Sequence, residues 1–224
     1  MQSLRTDRAL AKHPKITPVP LESYAALALG LLGGNLDAVI APYALEYWRA
    51  SNAFVGLAIT RVVPEIDARQ VMSINRNEAE LVGILNKGIA AITRDELESI
   101  QRRWFGANNS DRVAAERLQL NAELLTKEER AWLAAHPDIV LGAGEDWVGA
   151  LMQEARGNQS GFLVDHLDLL NRRLGTKIRI EVGPWPEIVK KAESGAIDGL
   201  TLTAPLDERR VHFLFTESFH ASPV

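Results

Sequence analysis

One stretch of the chain is written twice, and the repeat limits what the chain can fold into. In the first copy Tyr24 leads an apolar stretch, then Gly34, Leu36, Asp37 and the run Ala38-Val39-Ile40. In the second, Trp185 leads a similar stretch, then Gly195, Ile197, Asp198 and the run Gly199-Leu200-Thr201-Leu202. Aromatic, glycine, aliphatic and aspartate fall at matching offsets. Each copy predicts a helix packed on a sheet, closed by glycine and followed at once by a buried strand. Duplicated helix–strand units imply α/β lobes, and lobes of this kind usually hold small molecules between them.

A chain of 224 residues can bury one large core or two small ones. The net charge of -4, with basic and acidic residues interspersed, disfavours nucleic acid, which selects a basic stripe. With no cysteine there is neither a disulfide frame nor a thiolate metal site. The uncharged run from Ser23 to Leu36 is too short to span a bilayer. Arg5, Asp7 and Arg8 stand where the apolar core of a signal peptide would lie.

Along the chain, Ile16-Thr17-Pro18-Val19 reads as a short strand, Glu22 to Leu32 as a helix, Leu36 to Ala41 as a covered strand and Tyr43 to Arg49 as a helix. A strand at Val71–Ile74 is followed by an amphipathic helix from Glu78 to Ala91. A further helix opens with a capping box at Thr93 and Glu96 and stops before Gly106. From Ala107 to His136 the sequence is charged and helix-rich, with a second capping box at Thr126 and Glu129, and reads as a linker docked by Leu118, Leu124, Leu125 and Trp132. From Pro137 the pattern is β-α-β-α-β: strands at 139–141, 178–182 and 200–202, helices at 164–174 and 185–193. That alternation predicts a parallel sheet with right-handed crossovers, whose ligands lie beyond the carboxyl ends of the strands.

Ala131-Trp132-Leu133, His136-Pro137, Gly161-Phe162, Asp165, Leu167-Asp168-Leu169-Leu170, Trp185, Gly195-Ala196-Ile197-Asp198, Asp207-Glu208-Arg209-Arg210 and Leu214-Phe215-Thr216-Glu217 occur in that order. Through them, residues 131–219 resemble the first lobe of a bacterial family 3 solute-binding protein, the type II periplasmic-binding or Venus-flytrap fold. Residues 1–105 resemble the second half of the same fold, through Leu32 to Ile40, Glu80 to Lys87 and Ile100 to Trp104. The join through Leu125 to Arg130 is similar to joins in tandem ectodomains of membrane sensors such as hybrid histidine kinases and some diguanylate cyclases. The resemblance implies an α/β fold of periplasmic-binding-protein-like lobes with parallel-rich sheets flanked by helices. It divides the chain into the C-terminal half of one flytrap (1–105), a helical linker (106–136) and the N-terminal lobe of a second (137–224). Two separate sheets are then expected, one on each side of the linker, in a fragment of a longer periplasmic protein anchored in the inner membrane.

In amino-acid-binding members of that family, an arginine followed six residues later by Phe grips the ligand carboxylate; Arg209 and Phe215 match. A guanidinium fork pairs with a carboxylate through two parallel hydrogen bonds. The plain alternative is a surface arginine bonded to Asp207 or Glu208. Trp147 follows the first strand of the second domain, where the family places a stacking aromatic, though core packing explains it equally well. Thr201 and Thr203 end the third strand and offer hydroxyls to a ligand. The family's hydroxyl five residues before the arginine is Ala204 here, and the acidic residue that receives a ligand amine falls at Pro42. Asp165 and Asp168, one turn apart, read as an N-terminal cap and a solvated face. Gly142-Ala143-Gly144 lacks the third glycine of a dinucleotide loop. The histidines at 13, 136, 166, 212 and 220 show no ligand-like pairing, and no nucleophile motif is present.

These readings give a sensory module that closes on a small solute, carboxylate-bearing on the strength of Arg209, and passes the change through its linker. The resemblance admits a homodimer of the parent sensor. No cofactor, metal or catalytic residue is expected in this segment. The alternatives are the solute receptor of an ABC-type importer, a related periplasmic enzyme, or a ligand-free spacer.

Overall fold

The computed structural model describes residues 10–21, 23–40, 43–51, 69–106, 124–145, 147–153 and 157–221. Backbone proximity divides the chain into two units, 1–68 with 222–224, and 69–221.

The first unit holds two helices, α1 (Tyr24–Leu32) and α2 (Tyr43–Ala50). Ser23 caps α1, its hydroxyl accepting from Ala26 N–H at 3.1 Å. Neither the expected strand at 16–19 nor the described part of the one at 36–41 forms. A strand needs a neighbour to take its main-chain groups, and among the described residues neither segment has one. Ile16 and Val19 are exposed instead. Pro42 and the linker stretch 107–123, with Leu118, lie outside the described residues.

The second unit is built on one six-stranded sheet. Its elements in chain order are β1 (Arg69–Asn75), α3 (Ala79–Ala91), α4 (Arg94–Phe105), α5 (Lys127–Ala135), β2 (Val140–Gly144), β3 (Met152–Gln153), β4 (Gln159–Ser160), α6 (Phe162–Leu174), β5 (Arg179–Gly183), α7 (Trp185–Glu193), β6 (Gly199–Thr203), a 3₁₀ helix (Asp207–Val211), β7 (Phe213–Phe215) and β8 (His220–Ala221). The strand order is β5-β2-β6-β1-β7, with β8 also on β1; β3 and β4 form a separate hairpin. β2 runs parallel to β5 and β6, whereas β1 is antiparallel to β6, β7 and β8.

The position of β1 corrects the division at 106–136. Every residue of β1 after Arg69 is buried, and Met72 and Ile74 are wholly so. A strand this apolar needs cover on both edges as well as both faces. It finds β6 on one side and β7 on the other, so residues before 105 and after 137 share one sheet. The break between units falls at 68/69 instead. Helices flank the sheet, as expected of a periplasmic-binding-protein-like lobe. On α7, Trp185, Ile188, Val189 and Ala192 recur at helical spacing and pack with Val140, Ile197, Leu200 and Phe213.

Both capping boxes form, at Thr93/Glu96 and Thr126/Glu129. Gly175 closes α6 in the left-handed conformation. The repeat is structural as far as its cap. Asn35 N–H donates to Gly30 O at 2.9 Å, and at the same offset Ala196 N–H donates to Lys191 O at 2.9 Å. The glycines between carry φ of +71° (Gly34) and +76° (Gly195), which a side chain would strain. Beyond the cap the copies part, since only the second enters a sheet.

Candidate functional site

Three neighbouring parallel strands, β5, β2 and β6, deliver their following segments to one end of the sheet. Trp147 follows β2, Trp185 opens α7 after β5, and Arg209 lies on the 3₁₀ helix after β6. Here an open α/β sheet presents unsatisfied strand ends and helix starts, and here such sheets bind ligands.

The three side chains form a continuous stack. The rings of Trp147 and Trp185 are 5.2 Å apart and tilted by 46°. The Arg209 guanidinium carbon stands 5.6 Å from the centre of the Trp185 ring, within cation–π range. Gly144, the last residue of β2, makes room for Trp147: a Cβ there would come within 2.8 Å of its indole nitrogen. Trp147 is buried and Trp185 half-buried. Arg209 Nη1 is buried with no hydrogen-bond partner among the described residues. Burial pushes the guanidinium below its ordinary value, while the Glu193 and Glu208 carboxylates pull the other way. An arginine stays charged under such shifts, so the site holds a cation with an unanswered donor.

The plain reading of a surface arginine describes the next residue. Arg210 is exposed, its Nε bonds Asp207 Oδ1 at 3.0 Å, and its guanidinium lies 5.0 Å from the Phe215 ring. Phe215, paired with Arg209 by sequence spacing, therefore meets Arg210.

Thr201 and Thr203 are not brought to this stack as donors. Thr201 Oγ1 donates to Gly142 O at 3.1 Å, and Thr203 Oγ1 donates to Val71 O at 3.1 Å while lying 2.6 Å from Ser73 Oγ. Both are buried, and their hydroxyl protons are committed to neighbouring strands. Asp165 is no cap. The residue before α6 is Gly161, and Asp165 receives Trp104 Nε1–H at 2.7 Å and Arg103 Nη1–H at 3.2 Å, tying α4 to α6. Asp168 is exposed, and Gly142 and Gly144 lie in β2 rather than in a loop. Trp185 was marked by the repeat alone; its place between Trp147 and Arg209 depends on the sheet order.

Among the described residues no group of three or more His, Asp or Glu side chains could hold a metal ion. No helix among them is long and apolar enough to cross a membrane.

The chain is similar to the virulence sensor protein BvgS of Bordetella pertussis, 28% identical over 103 residues. That region is 46% of this chain and 8% of the relative, so the chain spans less than a tenth of the length of the curated relatives it matches. The BvgS proteins of Bordetella bronchiseptica and Bordetella parapertussis match over the same extent at 28% identity. Residues 139–224 match the sequence model of the bacterial extracellular solute-binding proteins, family 3, and this part of the chain carries the α/β lobe of that family.

Proposed function

We propose that this chain is an extracytoplasmic small-solute-binding module of a transmembrane signalling protein of the two-component sensor type. The stack of Trp147, Trp185 and Arg209 is one wall of its ligand site. The observation that carries the reading is the buried Arg209 Nη1 with no partner, at the end of the sheet where such folds bind. An unanswered charged donor in a half-buried setting is costly unless something accepts from it. A carboxylate satisfies the guanidinium bidentately, and the two indoles supply flat apolar cover for the rest of a small ligand. Ligand contact shifts the angle between this lobe and its partner lobe, and α5, docked on α3 through Lys87 and Glu129 at 2.6 Å, passes the shift onward. The similarity to sensor proteins supports a signalling role over an importer subunit.

The test is thermal unfolding of the complete ectodomain of the parent protein against a panel of small metabolites, with carboxylates prominent. One compound is expected to raise Tm, by the equivalent of about 2.7 kcal/mol at a hundredfold excess over Kd. Arg209→Ala abolishes that rise. A panel that leaves Tm unchanged sinks the reading. A ligand-free spacer would then stand, which the committed hydroxyls of Thr201 and Thr203 favour.

A further inference from the structure

The segment from Thr216 to Ala221 is laced along β1. Thr216 N–H donates to Met72 O at 3.1 Å, and Thr216 Oγ1 accepts from Met72 N–H at 3.0 Å. Phe219 N–H and Ser218 Oγ–H both reach Gln70 O at 3.2 Å. β8 then pairs His220 with Gln70 and Ala221 with Arg69. Arg69 and Ala221 are the first and last residues of their unit, so this short ladder holds the two exits together.

His220 fills the space behind the ladder. Its ring stacks on Phe162 of α6 at 4.5 Å and lies 6.0 Å from Phe105 of α4. It meets His166 of α6 edge-on at 5.9 Å, and His166 in turn meets Phe219 at 5.6 Å. Both imidazoles are buried. His166 Nδ1 lies 2.7 Å from Phe162 O and donates to it, since a carbonyl only accepts.

We propose that His166 and His220 make this ladder an acid-sensitive clasp: a proton taken up in the aromatic box releases residues 216–221 from β1 and frees both exits, while the rest of the sheet stays paired. The inference stands apart from the ligand site above. No carboxylate answers a charge in the box. α4 presents Phe105, α6 presents Phe162 and His166, and β1 presents Gln70 beside the exposed Arg69. Asp165 is held by Trp104 and Arg103, and Glu217 is exposed. Burial, and then His166, push the His220 imidazole down to about 3. In the open segment the ring returns to its ordinary value near 6.5. The sign follows: the preference for the closed clasp is full above the open-state value and is lost as pH falls from there toward the closed-state value. Between pH 7 and pH 5 the opening equilibrium rises on the order of 20-fold.

Amide hydrogen exchange on the intact chain at pH 7 and pH 5, corrected for intrinsic rates, tests this. Protection of the Thr216 and Phe219 amides is expected to fall on the order of 20-fold, with the Ile180 amide of β5 unchanged. His220→Phe should make the Phe219 amide indifferent to pH. Equal protection at both pH values, or a uniform fall across the sheet, overturns the proposal. Should His220→Phe not fold, NMR titration of the unaltered chain decides. A His220 ring still neutral at pH 5 while Phe219 stays protected supports the clasp; a ring titrating near its ordinary value under intact protection refutes it.

Discussion

Asp198 shows how one side chain joins three strands. Its carboxylate accepts from Val140 N–H at 2.7 Å, its own N–H donates to Val140 O at 3.0 Å, and its carbonyl accepts from Asn75 N–H at 2.8 Å. Asp198→Ala leaves the Val140 N–H without its acceptor at the start of β2. The expected cost is about 2 kcal/mol, read from urea unfolding, with Asp198→Asn recovering part of it because an amide oxygen also accepts. Asp37, the same residue in the first copy, is exposed, so Asp37→Ala should change stability little. Arg209 was legible because a motif gave it a neighbourhood. Trp185 as its support was not, because their meeting depends on which strands are adjacent. Thr201 and Thr203 were misjudged for a related reason. A hydroxyl at a strand's end looks available until the neighbouring carbonyl, here Gly142 or Val71, is known.

Among elements, local chemistry was read well and pairing was not. The two capping boxes involve residues three apart, and a short window contains all their physics. Strands at 16–19 and 36–41 failed because an apolar run predicts a strand only if a partner exists. Helix α5 has the most to lose from one substitution. Glu129 closes its capping box, accepting Thr126 N–H at 2.7 Å, and also pairs with Lys87 of α3. The bond from Lys87, and then that from the Thr126 main chain, hold its carboxyl below the usual range. Its stabilising effect is therefore complete above the unfolded value and is lost as pH falls through the lower, folded one. Glu129→Ala should cost roughly 1 kcal/mol, most of it from the cap, since a partly exposed ion pair contributes little. Glu129→Gln should keep the larger share. Exchange protection of the α5 amides is the measurement, and equal loss in both variants would count against the division.

For the whole molecule the placement of β1 matters most. Reading along the chain assigned it to one domain and β6 to another; the sheet puts them side by side. Antiparallel pairing across more than a hundred residues leaves no local trace, so this part of the fold lay beyond sequence patterning. Residues 69–221 are accordingly expected to unfold in one cooperative transition when expressed alone. A piece comprising 124–221 lacks the strand between β6 and β7, exposes two unpaired edges and should aggregate. Sedimentation and thermal melts of the two pieces compare them directly; a soluble, cooperatively melting short piece would show β1 to be dispensable.

The pairing of Arg69 with Ala221 places the ends of the larger unit about 5 Å apart, the spacing of facing residues in an antiparallel ladder. A body whose termini meet in this way can be grafted into a surface loop of an unrelated host without stretching either protein. It can equally be cut open elsewhere and rejoined at that seam.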